Sequence, residues 1–151
     1  ARKSKNAPMA KSKWTEELVI EVVNRCRIAG TVAAEEKLAE LVQAGPRYAV
    51  YNSDLAGNHI GDAVGTLLDV CGFANLRISA RGKFFQVAKK LSQERRELRF
   101  YCTNAYYGGG HFSVFDTTRR QEMSVNTAAC KAMVPILSEY GISATVESRI
   151  D

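Results

Sequence analysis

No stretch of this 151-residue chain approaches the roughly 18 consecutive apolar residues of a membrane-spanning helix, and its first residues lack the apolar core of a secretory leader. A cytoplasmic protein with no membrane partner is therefore expected. Cysteine is scarce and scattered: Cys26, Cys71, Cys102 and Cys130 form no CxxC pair and have no histidine at ligand spacing, which argues against a structural zinc site. Reduced cysteines act as small core hydrophobes, and all four are expected to do so here. Histidine is limited to His59 and His111. The turn "ARGK", Ala80 to Lys83, puts a glycine and cations where a helix begins but lacks the rest of GxxxxGK[ST], so nucleotide hydrolysis gains no support. Neither a cofactor nor a metal is expected.

Net charge is also missing from most of the chain. Arg2, Lys3, Lys5, Lys11 and Lys13 occupy the first 13 residues, which hold no acid; the other 138 residues carry 16 basic and 16 acidic side chains, so the overall +5 belongs to this arm. With few apolar residues to offset its ordering entropy, the arm (1–13) is expected to be disordered on its own. Within the neutral remainder, residues 77–99 hold Arg77, Arg81, Lys83, Lys89, Lys90, Arg95, Arg96 and Arg99 against Glu94 and Glu97. Residues 16–40 lean the other way, with six glutamates against Arg25, Arg27 and Lys37. The folded part is thus expected to be electrically polarised.

What is present is 46% hydrophobic sequence in helical and strand periodicities, enough for one core. Leu18, Val19, Val22, Val23 and Cys26 recur at helical spacing behind Thr15, a predicted N-cap. Gly30 reads as a stop, and a second helix follows to Gly45 and Pro46, making residues 14–45 a helical hairpin or one bent helix. From residue 46 to 151 the periodicities predict strand 47–52, a polar loop "SDLAGNHIGD", helix 60–71, strand 74–80 with a basic solvated face, helix 82–91, two strands joined across Gly108 to Gly110, helix 124–140 with Pro135 inside it, and a last strand 143–148. "LLDVCGFANLRIS" and "ILSEYGISATVES" share one plan, an apolar helix end passing through glycine into a strand. The predicted class is α+β, a mostly antiparallel sheet with helices on one face in the manner of a ferredoxin-like sandwich, forming one globular unit with residues 14–45.

The candidate sites follow from charge and aromatics. Arg2, Lys3, Lys5, Lys11 and Lys13 suit phosphates through counterion release, and Arg81, Lys83, Lys89, Lys90, Arg95 and Arg96 offer a folded basic face for the same purpose. Tyr106 and Tyr107 lead the candidates for stacking on unpaired bases, with Phe100, Tyr101 and Phe112 close by in the chain. A non-enzymatic protein that binds DNA or RNA, or joins a nucleoprotein particle, is the expected function. A module for protein partners or self-assembly is the first alternative.

The second alternative is a cysteine-dependent hydrolase. "GGGHFSVF" resembles the histidine box of papain-like peptidases, and "CGFANL" is similar to the Cys-Gly start of some of their nucleophile helices. That resemblance would pair Cys71 with His111, oriented by Asp116 or Asn104. His59 and His111 could alternatively form an acid-base or metal pair with Asp54 or Asp62, although Asp54 reads more simply as an N-cap or Asx-turn residue.

Overall fold

The computed structural model describes residues 14–151. Helix α1 (Glu16–Ala44) begins where Thr15 accepts a hydrogen bond from the Leu18 amide and ends at Gly45, whose φ is +87°. The expected hairpin does not form. Val19, Val22, Val23, Cys26, Gly30, Ala34 and Leu41 keep one buried stripe running straight through the glycine. Gly30 is needed for closeness rather than for termination: a Cβ there would lie 2.8 Å from Met133 Cε and 3.0 Å from Thr117 Cγ2.

Strands β1 (Tyr48–Ser53) and β2 (His59–Leu67) form a separate antiparallel ribbon in which every residue is exposed. The helix predicted over residues 60–71 is therefore corrected to a strand. Ile60, Val64 and Leu67 fit helical spacing, but the turn before them decides the outcome. Asp54 accepts hydrogen bonds from the amides of Ala56 and Asn58, an Asx turn that folds the chain back onto β1, and Gly61 and Gly65 weaken the competing helix.

The body continues as β3 (Gly72–Ile78), α2 (Lys83–Glu94), β4 (Phe100–Asn104), β5 (Gly110–Val114), α3 (Met123–Glu139) and β6 (Ala144–Ile150). The four strands form one antiparallel sheet in the order β4-β5-β3-β6. Each helix returns the chain to a strand one place removed, so β5 lies between β3 and β4, and β3 lies between β5 and β6. α3 runs four residues past Pro135 without interruption.

Alternation along the strands sorts the side chains into two faces. Leu76, Ile78, Phe100, Cys102, Phe112 and Val114 point inward and join one core with Val19, Val22, Val23 and Cys26 of α1, Phe84, Phe85, Ala88 and Leu91 of α2, and Cys130, Met133 and Leu137 of α3. All three helices thus contribute to the core on one side of the sheet. Gly72 sets the approach of β3 to β6 and α3, since a Cβ would fall 2.6 Å from the Arg149 carbonyl oxygen and 2.9 Å from Met123 Cβ.

At the start of α3, Asp69 accepts from the Ser124 amide, and Glu122 pairs with Arg120 at 2.7 Å. Arg120 holds the Glu122 carboxyl below the usual range; Asp69 is also lowered, its hydrogen bonds from Ser124 and Val70 outweighing the opposing effect of burial. Both carboxylates also sit at the positive end of the helix dipole. A lowered folded-state pKa stabilises the protein above the unfolded carboxyl pKa, and that stability is lost as pH falls through the folded value. Stability should therefore decline below about pH 5, where unfolded carboxylates begin to protonate. Glu122→Gln should flatten this decline in urea titrations run across acid pH; an unchanged slope would remove Glu122 from the account.

Candidate nucleic-acid interface

The outward residues of the four-stranded sheet are Phe73, Asn75 and Arg77 on β3, Tyr101 and Thr103 on β4, His111 and Ser113 on β5, and Thr145, Glu147 and Arg149 on β6, with Phe115 just past β5. Among the described elements none packs on this side. β3 and β5 pair only over Leu76–Ile78 and Gly110–Phe112, then diverge toward Phe73 and Phe115. The gap forms a cleft of about 620 Å³ with Ala129, Cys130 and Met133 of α3 beneath it.

Aromatic groups rim this cleft. Tyr101 and Phe115 lie 5.5 Å apart between ring centroids at 30°, and Arg149 stands over the Phe73 ring at 5.4 Å. Asn75 donates to the Tyr101 hydroxyl at 3.3 Å. Phe73 is 53% exposed and Phe115 43%, values that leave their rings open to a ligand. Beside them, Glu147 accepts from Arg77 Nε at 2.6 Å and sits 3.1 Å from His111 Nε2. The Arg77 hydrogen bond is the main cause that holds the Glu147 carboxyl below its usual range. Arg77 also donates to the Gly108 carbonyl, which ties the sheet face to the hairpin tip.

That tip explains the three glycines. Gly108 and Gly109 have φ of +98° and +71°, which other residues adopt at a cost. Gly110 has no such φ; its missing Cβ leaves room for the Phe85 ring. The Ala105 amide donates to the Gly109 carbonyl at 3.0 Å and closes the turn. Tyr106 and Tyr107 are left outside, about 90% exposed, edge to face at 4.7 Å.

The basic residues divide by what they already touch. Arg95 pairs with Glu97, Arg77 with Glu147, and Arg99 with Asp116. Among the described residues Arg81, Lys83, Lys89, Lys90 and Arg96 pair with no carboxylate; Lys89 instead donates to the Asn104 side chain at 2.6 Å. These five lie along α2 and its two flanking turns, on the helical side of the sheet. They approach the aromatic face at the free edge of β4, where Lys89 reaches Asn104. Arg2, Lys3, Lys5, Lys11 and Lys13 lie outside the described residues.

The hydrolase arrangement is not assembled. Cys71 precedes β3, whereas His111 pairs with Arg77 six residues further along that strand, a separation of about 20 Å at the strand rise. Asp116 is held by Arg99 rather than by His111. His59 stacks on Tyr51 at 4.2 Å in the ribbon, so the two histidines sit in different sheets. Asp54 takes the Asx-turn role. Among the described residues no group of three metal-ligating side chains comes together. Cys26, Cys102 and Cys130 are core residues whose thiols burial pushes up to about 12, 12 and 11, while Cys71 is half-buried at the margin.

Phe100 and Phe112, considered above for stacking, are core residues, and Tyr101 is the one member of that group on the outer face. Phe73, Phe115, Arg77 and Arg149 were not singled out by sequence reasoning. Strand parity separates Phe112 from His111, Ser113 and Phe115 and would have found part of this face; which strands are neighbours lies beyond it. No family model, curated protein or solved structure matches the chain.

Proposed function

We propose that the protein is a non-enzymatic, cytoplasmic binder of single-stranded nucleic acid, with a ferredoxin-like body. The observation that carries this reading is the uncovered sheet face at which Phe73, Tyr101 and Phe115 surround a cleft that Arg149 also lines. Open four-stranded sheets bind unpaired bases by stacking them on outward aromatic rings, while bases inside a duplex are already stacked and offer no face. The unpaired cations of α2 and the β4 edge supply the backbone attraction, and a strand leaving the aromatic face over β4 would meet Lys89 and Arg96. The basic arm adds further phosphate contacts. Free, buried thiols suit a reducing compartment.

The test is a titration of labelled single- and double-stranded DNA and RNA at two salt concentrations, with residues 1–13 removed in parallel. Single strands should bind more tightly than duplex, affinity should fall with salt, and the truncated chain should bind more weakly with a shallower salt slope. Absence of salt-sensitive binding to all four nucleic acids would overturn the proposal.

A further inference from the structure

We infer that the β1–β2 ribbon is a self-association arm: two copies pair their β1 strands antiparallel across a two-fold axis, joining two ribbons into one four-stranded sheet. A lone two-stranded ribbon is marginal in water, and three or more strands are needed for independent stability. Yet this ribbon exposes Tyr48, Val50, Tyr51, Ile60, Val64 and Leu67, with Val64 at 61%. From Tyr48 to Leu67 there is no lysine or arginine, while Asp54 and Asp62 are acidic, so phosphates are not what it attracts.

Several features identify β1 as the pairing edge and a second copy as the occupant. The sequence "YAVYNS" has no charge, no proline and no glycine, the devices that usually keep an edge strand from pairing. β2 is the irregular side: Val50 faces Gly65 and Asn52 faces Ile60, so five steps along β2 answer two along β1, and Asp62 falls within that surplus. The uncharged strand is bracketed at one end by Arg47, which lies 3.6 Å from Asp69 but keeps an exposed side chain, and at the other by Asp54. Antiparallel self-pairing centred on Val50 or Tyr51 therefore brings each Arg47 within one residue of Asp54 of the partner subunit. The same attraction acts at both ends, and no like charges meet. The Asn58 amide holds the Asp54 carboxyl below its usual range. Paired this way, the interface is isologous and closes at a dimer.

The experiment is sedimentation equilibrium on the full chain without nucleic acid, so its result is independent of the binding titration. A reversible dimer is expected. Val50→Lys, which sets two ammonium groups near each other across the two-fold, should weaken it about tenfold or more, while the body, to whose core Val50 does not contribute, keeps its helical circular dichroism signal. In a Cys71→Ser background, Val50→Cys or Tyr51→Cys should form an intermolecular disulfide, since facing strand residues come within bridging distance. A chain that stays monomeric at every accessible concentration, a dimer indifferent to Val50→Lys, or failure of both cysteines to cross-link would overturn the inference. A monomer would leave the ribbon to a different protein partner.

Discussion

Replacing Phe73, Tyr101 and Phe115 together by alanine is expected to lower single-strand affinity by a factor of about 100 or more, while leaving duplex affinity nearly unchanged. Each base stacked on an aromatic ring contributes about 1–3 kcal/mol, and three rings that surround one cleft act on neighbouring bases. The rings lie outside the core, so their loss should not unfold the body; Phe73 and Phe115 are among the exposed large apolar residues. Lys83→Ala with Lys90→Ala should behave differently. Those side chains can meet only the backbone, so affinity should fall for every sequence alike and the salt dependence should become shallower. Fluorescence anisotropy on one labelled oligonucleotide at several salt concentrations separates the two patterns. If the triple variant bound single strands as the wild type does, the aromatic face would not be the platform, and binding would belong to the helical side.

Phe112→Ala should cost about 3–5 kcal/mol of folding stability, a large part of the roughly 5–15 kcal/mol that holds a domain of this size together. Phe112 is fully buried at the centre of β5, 5.7 Å between centroids from Phe84 and 6.0 Å from Phe100. Its removal leaves a cavity between the sheet and α2 that surrounding backbone cannot fill. Ser113→Ala, one residue on and facing the opposite way, should change stability by no more than about 0.5 kcal/mol. Urea denaturation of the two variants measures the difference. Equal stabilities would mean that the two faces of the sheet had been assigned the wrong way round.

Local patterns read correctly wherever a single period was supported by its own boundaries. Residues 83–94 have apolar residues at helical spacing after a turn glycine, and they form α2. Leu76 and Ile78 alternate against Asn75 and Arg77, and they form β3. Two errors arose where one residue type permits two outcomes. Gly30 can end a helix or let two helices approach, and only α3 lying alongside makes it the second. Ile60, Val64 and Leu67 fit a helix face, but the Asx turn at Asp54 had already committed the chain to a ribbon.

The candidate site was legible in kind rather than in place. Excess cations were readable, as was a glycine turn carrying Tyr106 and Tyr107; which aromatics face outward was not, since Phe100 and Phe112 are core while Phe73 and Phe115 rim the cleft. Whether a given cation is free was not. Arg95 is paired with a residue two positions away, whereas Arg77 is paired with Glu147 from the far end of the chain. The resemblance to a cysteine peptidase failed for the same reason, because a catalytic pair is defined by a distance that strand register sets.

By itself the sequence determined the α+β class, the location of excess positive charge in the first 13 residues, and the alternation that gives each strand an inner and an outer face. These depend on neighbours within a few positions, where covalent geometry fixes which side chains share a face. Tertiary structure alone decided that β3 lies between β5 and β6, that Phe73, Tyr101, Phe115 and Arg149 meet around one cleft, and that Cys71 stands far from His111. Those outcomes depend on contacts between segments tens of residues apart, chosen by how helices and strands together bury one core.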